Sequence, residues 1–151
     1  MVQVDLRAVV VVTACAVPAL ISSKGCIVNI TSISAKFNTS NYVAYDTVKA
    51  GLNHFTKTLA LDLAPYGVRA NNVLPGAVRT NILKENGMNA EEEENAWKII
   101  VNSPALRHLI EAKDVAGMIG YLASDKAKSI TGSDFVIDAG MLLTGPFKIS
   151  N

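Results

Sequence analysis

Two hydrophobic periods alternate along this chain, and that alternation constrains its fold more than any other feature. Cys26–Thr31 is a short apolar run bounded by Gly25 and Ser32, and Val68–Leu74 is a second one that ends at Pro75-Gly76. Runs of this length suit parallel strands buried on both faces. Between them, from 42 to 64, Leu52, Phe55, Leu59 and Leu63 fall at intervals of three and four, which predicts an amphipathic helix ended by Pro65 and Gly67. Phe135-Val136-Ile137 reads as a third strand, preceded by a helix over 113–123 carrying Val115, Met118, Ile119 and Leu122. Asn89 caps a helix whose third residue is Glu92, with Trp97, Ile100 and Val101 on its inner face.

Helix and strand in alternation imply an α/β fold with a parallel sheet of about three strands flanked by helices, in one domain over 1–151. Ligands of such sheets bind outside the carboxyl ends of the strands. Ser32, Pro75-Gly76 and Asp138 all fall at or just past those ends.

Composition removes several functions. Half of the residues are hydrophobic and 18% are charged, which suggests that part of the surface expects a partner. A net charge of +1 without a basic run argues against nucleic-acid binding. Cys15 and Cys26 have no metal-ligand spacing and are expected to be reduced, buried thiols of a cytoplasmic protein. His54 and His108 are expected to be satisfied or exposed, the acidic run Glu91–Glu94 a solvated first helical turn, and no metal site is expected. Ala8–Ile21 after Arg7 imitates the apolar region of a signal peptide. Asp5 in the leading segment and the absence of a small-x-small cleavage site at Ile21-Ser22-Ser23 argue against that reading and against secretion. The stretch is also too short to span a bilayer comfortably, and no membrane association is expected.

The candidate chemistry lies in Tyr45-Asp46-Thr47-Val48-Lys49, with Ser32 upstream. A phenol has an ordinary pKa of about 10, so acid–base work near neutrality needs a neighbour that stabilises phenolate. Lys49 lies one helical turn beyond Tyr45, on the same face, and Ser32 can donate a hydrogen bond to a carbonyl oxygen. Taken alone, this spacing also arises on ordinary solvated helix faces, as Pro75-Gly76 also arises as an ordinary strand-end turn.

In order and spacing, Gly25–Ser32, Tyr45–Lys49, Arg69–Thr80, Ile130-Thr131-Gly132-Ser133 and Asp138-Ala139-Gly140 resemble the short-chain dehydrogenase/reductase family, from about Val2 to Met141. The resemblance implies the catalytic part of a Rossmann-like fold. Residues 3–21 then form a helix, although Val9–Thr13 would favour a strand by local propensity. It implies an NAD- or NADP-dependent enzyme that moves hydride between nicotinamide and a small carbonyl or alcohol substrate. Tyr45 would be the acid/base, Lys49 would lower its pKa and hold the nicotinamide ribose, and Ser32 would orient the substrate oxygen. Pro75, Gly76, Val78 and Thr80 would frame the nicotinamide, and 81–105 would be a variable substrate loop. Helices 3–21 and 42–64 would build a homo-oligomer.

Two departures stand out. The family's asparagine, which holds a helix distortion and a water leading to the lysine, falls at Asp5, where a carboxylate would partly compensate Lys49. The glycine-rich turn that cradles a dinucleotide pyrophosphate has no counterpart, since the ten glycines form no such array. The expectation is therefore a fragment, a truncated product or the partner of another chain, with an unpaired edge on the Cys26–Thr31 strand. The alternative reading is a non-enzymatic truncated homologue that acts as an interaction module.

Overall fold

The computed structural model describes residues 1–145. Three parallel strands, β1 (Cys26–Ile30), β2 (Arg69–Pro75) and, later in the chain, a strand over Asp134–Ile137, form one sheet with β2 in the centre. The central strand is the most deeply buried: Ala70, Asn71, Asn72, Val73 and Leu74 are all fully buried. Past Pro75, the chain adds β3 (Val78–Arg79), which pairs in parallel with β4 (Ile110–Glu111). Neither of these short strands has a readable period, and both escape the sequence analysis. The strand Asp134–Ile137 is β5.

Two helices cover the sheet. The α2 helix (Val43–Leu63) follows an N-terminal helix that runs from Val2 to Ser23, whose regular part α1 is Val9–Ser23. On the opposite face lies α5 (Ala112–Ala123), after α3 (Ile82–Glu85) and α4 (Ala90–Ile100). Val115 and Leu122 of α5 pack with Val28, Val73, Phe135 and Ile137, one residue set from each strand, to make the larger core. A smaller core, Ile33, Leu74 and Met141, closes the carboxyl end of the sheet, where a last turn α6 (Met141–Thr144) begins.

The face toward α2 is of another kind. Register places Asn29 beside Asn72 and Asn72 beside Asp134, a polar row across all three strands. Helix α2 meets the row with polar groups of its own. Asn29 Nδ2 donates to Thr56 Oγ1 at 2.8 Å, Asn72 Nδ2 donates to the Asn53 carbonyl at 3.1 Å, and Asn53 Nδ2 donates to Asp134 Oδ1 at 3.0 Å. Buried amides pair because leaving one unpaired costs about 1–3 kcal/mol.

Within 81–105 the helix anticipated from Asn89 is present as α4, which starts with the expected cap, Asn89 accepting from Glu91 and Glu92 and Glu92 answering the Asn89 N–H, and the short α3 precedes it. Several expectations are corrected by this fold. Residues 33–41 include a 3₁₀ turn at Ile33–Ala35. Cys15 is exposed rather than buried, and Cys26 only half-buried. The reason is that the N-terminal helix buries little: of Val9–Ser23 only Thr13 is buried. Val9–Thr13 is helical despite its β-branched residues, because a helix pairs its own backbone groups where no strand partner is present. By length and composition, Val2–Ser23 is also long and apolar enough to cross a membrane.

Candidate active site

The site is built at the carboxyl ends of β1 and β2 and on the first turns of α2. Thr31 still bonds to β2, its N–H donating to the Val73 carbonyl at 2.9 Å, and Ser32 is the first residue to leave the sheet. Its extended backbone starts the 3₁₀ turn, and its Oγ accepts the Ser34 N–H at 3.1 Å. Ser32 is buried. A hydroxyl that accepts from the backbone keeps its own proton for donation, which suits it to a substrate oxygen.

Tyr45 and Lys49 stand where their spacing placed them. The Lys49 ammonium lies 5.6 Å from the centroid of the Tyr45 ring, and Tyr42 meets the same ring edge-on at 6.4 Å. Such a cation–π contact holds the ammonium against the phenol. The other neighbour of Lys49 is Asp5, whose Oδ1 is 3.9 Å from Nζ. Asp5 lies within a π-helical opening of the N-terminal helix, Val2–Ala8, so the helix distortion implied by the family resemblance is present with a carboxylate in the asparagine's place. Leu6 of that segment packs over Gly51, which seats the distorted helix on α2. Among the described residues no hydrogen bond joins Ser32 to Tyr45; the 3₁₀ turn after Ser32 packs against α2 and brings the two elements together.

The Pro75-Gly76 turn is structurally specified. The Gly76 N–H donates to the Ile137 carbonyl at 2.8 Å, and a Cβ at Gly76 would lie 3.0 Å from Asp138 Cβ and 3.1 Å from its Cα. Only glycine lets β2 leave the sheet so close to β5. Val78 is half-buried in β3, while the exposed Thr80 accepts the Ile82 N–H at 3.4 Å on its Oγ1 and opens α3. Asp138 is not free for chemistry: its two oxygens accept the N–H groups of Gly140 and Leu142, each at 2.8 Å. Beside it Ala139 takes φ +51°, a left-handed conformation that its methyl group disfavours.

These residues fit the nicotinamide end of a dinucleotide: an ammonium, a phenol and a glycine turn lie at the carboxyl edge of a parallel sheet. Among the described residues there is no glycine array for a pyrophosphate, and the glycines with positive φ, Gly67, Gly87, Gly132, Gly140 and Gly145, are spread over separate turns. Also among the described residues, no three His, Cys, Asp or Glu side chains are grouped to hold a metal ion.

Sequence reasoning missed the most heavily bonded group near the site. Asp134 Oδ2 accepts from Lys36 Nζ and Lys57 Nζ, both at 2.8 Å, while Oδ1 accepts from Asn53 and Asn72. Burial pushes this carboxyl up, yet the hydrogen bonds from Lys36, Lys57, Asn72 and Asn53 outweigh it and hold the pKa down to about 2. Asn71-Asn72 inside an otherwise apolar strand was the available signal. Asp46 was missed as well: it is buried, its Oδ2 accepts the Thr39 N–H at 2.8 Å, and its Oδ1 has no partner. A depression of about 550 Å3 between the 34–39 segment and α2 is lined by Asp46 and Lys36, and neither Tyr45 nor Lys49 lines it.

Comparison with known proteins agrees with this geometry. The family model described as enoyl-(acyl carrier protein) reductase matches residues 1–142. L-rhamnose 1-dehydrogenase (NAD(P)(+)) of Azotobacter vinelandii is 37% identical over 119 residues, 79% of this chain and 45% of that protein. A short-chain dehydrogenase/reductase of Caenorhabditis elegans, solved with cofactor, superposes with a TM-score of 0.88 at 30% identity, over 93% of this chain and 54% of that one. 4-hydroxyisoleucine dehydrogenase complexed with NADH superposes with a TM-score of 0.81 at 31% identity, over 96% of this chain and 59% of that one. The chain spans about half the length of the curated relatives it matches. With the family model matching residues 1–142, a relative 37% identical over 79% of the chain and the same fold in the solved structures, the chain belongs to the short-chain dehydrogenase/reductase family.

Proposed function

We propose that this chain carries the proton-transfer part of an NAD- or NADP-dependent oxidoreductase acting on a small carbonyl or alcohol substrate in the cytoplasm. The observation that carries the reading is the Lys49 ammonium held 5.6 Å from the centre of the Tyr45 ring, next to the strand end that presents Ser32. In the reducing direction Tyr45 gives its phenolic proton to the substrate oxygen, Lys49 stabilises the phenolate left behind, and the Ser32 hydroxyl donates to the same oxygen. In the oxidising direction the proton returns to Tyr45. A nicotinamide bound at this edge supplies or accepts the hydride. Lys49 would hold its ribose, and the Pro75-Gly76 turn with Val78 and Thr80 would frame it. NADH in one structural neighbour and NAD(P)(+) in the name of a relative support the cofactor class.

The test has two arms. Titration with NADH, followed through Trp97 fluorescence, is expected to respond only toward millimolar concentration, because no glycine array is present for the pyrophosphate; no response from folded protein would remove the reading of a self-sufficient enzyme. Tyr45→Phe is expected to lower turnover by about 10³-fold with NADH binding retained. A variant as active as the parent would remove Tyr45 from the chemistry.

A second reading rests on the exposed N-terminal helix. Val10, Val11 and Val12 are 36%, 48% and 68% exposed, an apolar surface that homo-oligomerisation through this helix and α2 would cover. It is compatible with the first reading and becomes the alternative if the cofactor titration is silent.

A further inference from the structure

We infer that Asp134 is a positioning residue of the proton-transfer site, clamping the turn that carries Ser32 against the helix that carries Tyr45 and Lys49. The inference rests on the proton-transfer reading above and adds to it a residue from the far end of the sheet face. Tyr45, Lys49, Asn53 and Lys57 recur every four residues on α2, so they form one stripe that winds slowly about the helix. The upper two members are the acid–base pair. The lower two are tied to Asp134, Asn53 at 3.0 Å and Lys57 at 2.8 Å. Lys36 reaches the same Asp134 oxygen as Lys57, also at 2.8 Å, and it ends the 3₁₀ turn that Ser32 begins. Asp134 is itself fixed in β5 beside Asn72 of β2, the strand that runs into Pro75-Gly76. One carboxylate thus fastens the Ser32 turn, the Tyr45 helix and the Gly76 strand to one another.

The charge at 134 is what makes the clamp. Two ammonium groups share one oxygen, and without a negative charge between them they repel. An asparagine would fail twice: it neutralises neither lysine, and its amide group turns a donor toward donors. The Asp134 side chain is 9% exposed, whereas Lys36 and Lys57 are 38% and 41% exposed, so the anchor is buried and the cations reach in from the rim. Asp134 touches neither Tyr45 nor Lys49 in any contact described above, so its influence on them passes through position.

The experiment follows the Tyr45 phenol by pH titration, using ¹³Cζ-tyrosine NMR of the chain, with its signal assigned by loss in Tyr45→Phe. The charged groups beside Tyr45 are Lys49 on α2 and, beyond it, Asp5 on the N-terminal helix. Lys49→Met is expected to move the midpoint up, because it removes the cation that stabilises phenolate. Asp134→Asn and Lys36→Met are each expected to move it up as well, by less. The common sign is decisive. Through-space charge alone would move the two in opposite directions, since one variant removes a negative group and the other a positive one. A loosened clamp moves both the same way. Opposite signs, or no movement in either variant while Lys49→Met shifts, would overturn the clamp and leave the proton-transfer reading standing. No movement in Lys49→Met would take down that reading and the clamp with it. Should Asp134→Asn fail to fold, Lys36→Met decides by amide exchange. The Ala35 and Lys36 N–H groups, bonded to the Ser32 and Ile33 carbonyls at 3.0 and 2.8 Å, are expected to exchange about tenfold faster, and unchanged exchange would overturn the clamp.

Discussion

The two long helices of this molecule have opposite relations to their own composition. The N-terminal helix, Val2–Ser23, is the more apolar, yet Val10, Val11 and Val12 face outward and Thr13 is the buried residue of its regular part. Helix α2 carries Asp46, Asn53, Thr56 and Lys57 toward the protein, yet Val48, Leu52, Ala60 and Leu63 beside them are buried. Hydrophobicity alone would rank the two the wrong way round. What seats α2 is the combination of a narrow apolar stripe with Asn53, Thr56 and Lys57, each of which finds a partner in the Asn29, Asn72, Asp134 row. Among the described residues the N-terminal helix meets no such surface, and its firmest attachment is the distorted first segment, where Leu6 meets Gly51 and Asp5 meets Lys49.

The contrast is broken or upheld most directly by truncating one apolar side chain on each helix. Leu52→Ala, at a position 3% exposed, is expected to cost about 3 kcal/mol in denaturant unfolding. Val12→Ala, at a position 68% exposed, is expected to cost less than about 0.5 kcal/mol at protein concentrations that keep the chain monomeric. Equal losses would mean that the N-terminal helix is seated as firmly as α2. A Val12→Ala loss that grows with protein concentration would instead place the missing surface on a second copy.

The polar side of the comparison is sharpened by acid. The folded-state pKa of Asp134 lies at about 2, below the ordinary 3.8, so its ion pairs stabilise the fold above that ordinary value and are lost as pH falls from about 4 to about 2. Linkage sets this contribution near 2 kcal/mol, and screening at the half-exposed lysines lowers it to about 1 kcal/mol. Asp134→Asn is therefore expected to be less stable at pH 7 by about 1 kcal/mol and to show a flatter stability profile between pH 4 and 2. An unchanged slope in that window would mean that the lysines are held by something other than this carboxylate. The N-terminal helix offers a control, since among the described residues Arg7 bonds only to Gln3 on the helix surface, at 3.3 Å; Arg7→Gln is expected to leave stability within about 0.5 kcal/mol at every pH.

The same contrast explains what could be read from the residues. The strands β1, β2 and β5, the helices α2 and α5 and the Asn89 cap each announce themselves within a few residues, through local period or capping chemistry, and Tyr45 with Lys49 does so through helical spacing. The polar row does not. Asn29, Asn72 and Asp134 lie far apart in the chain and become neighbours only through strand register, which no single segment encodes. Cys15 was misjudged for the converse reason: it sits in an apolar stretch, and apolar surroundings in sequence were taken for burial in space. Within 81–105, α4 is legible from its cap at Asn89, whereas α3, a single turn over Ile82–Glu85, is too short to carry a period.

The smallest expected effect on stability falls where the two helices meet, and there the comparison bears on chemistry. Asp5 is 3.9 Å from Lys49 with its side chain 37% exposed, a separation and exposure at which an ion pair contributes at most about 0.5 kcal/mol. Asp5→Asn is therefore expected to leave the unfolding midpoint nearly unchanged. Its consequence for the proposed proton transfer is different, because the carboxylate offsets part of the Lys49 charge on which that proposal rests, and the amide would not. The pH–rate profile of the oxidoreductase reaction is expected to shift toward lower pH in Asp5→Asn, with faster proton transfer near neutrality. Equal profiles would show that the N-terminal helix touches the active lysine without influencing it, and its role would then be confined to assembly.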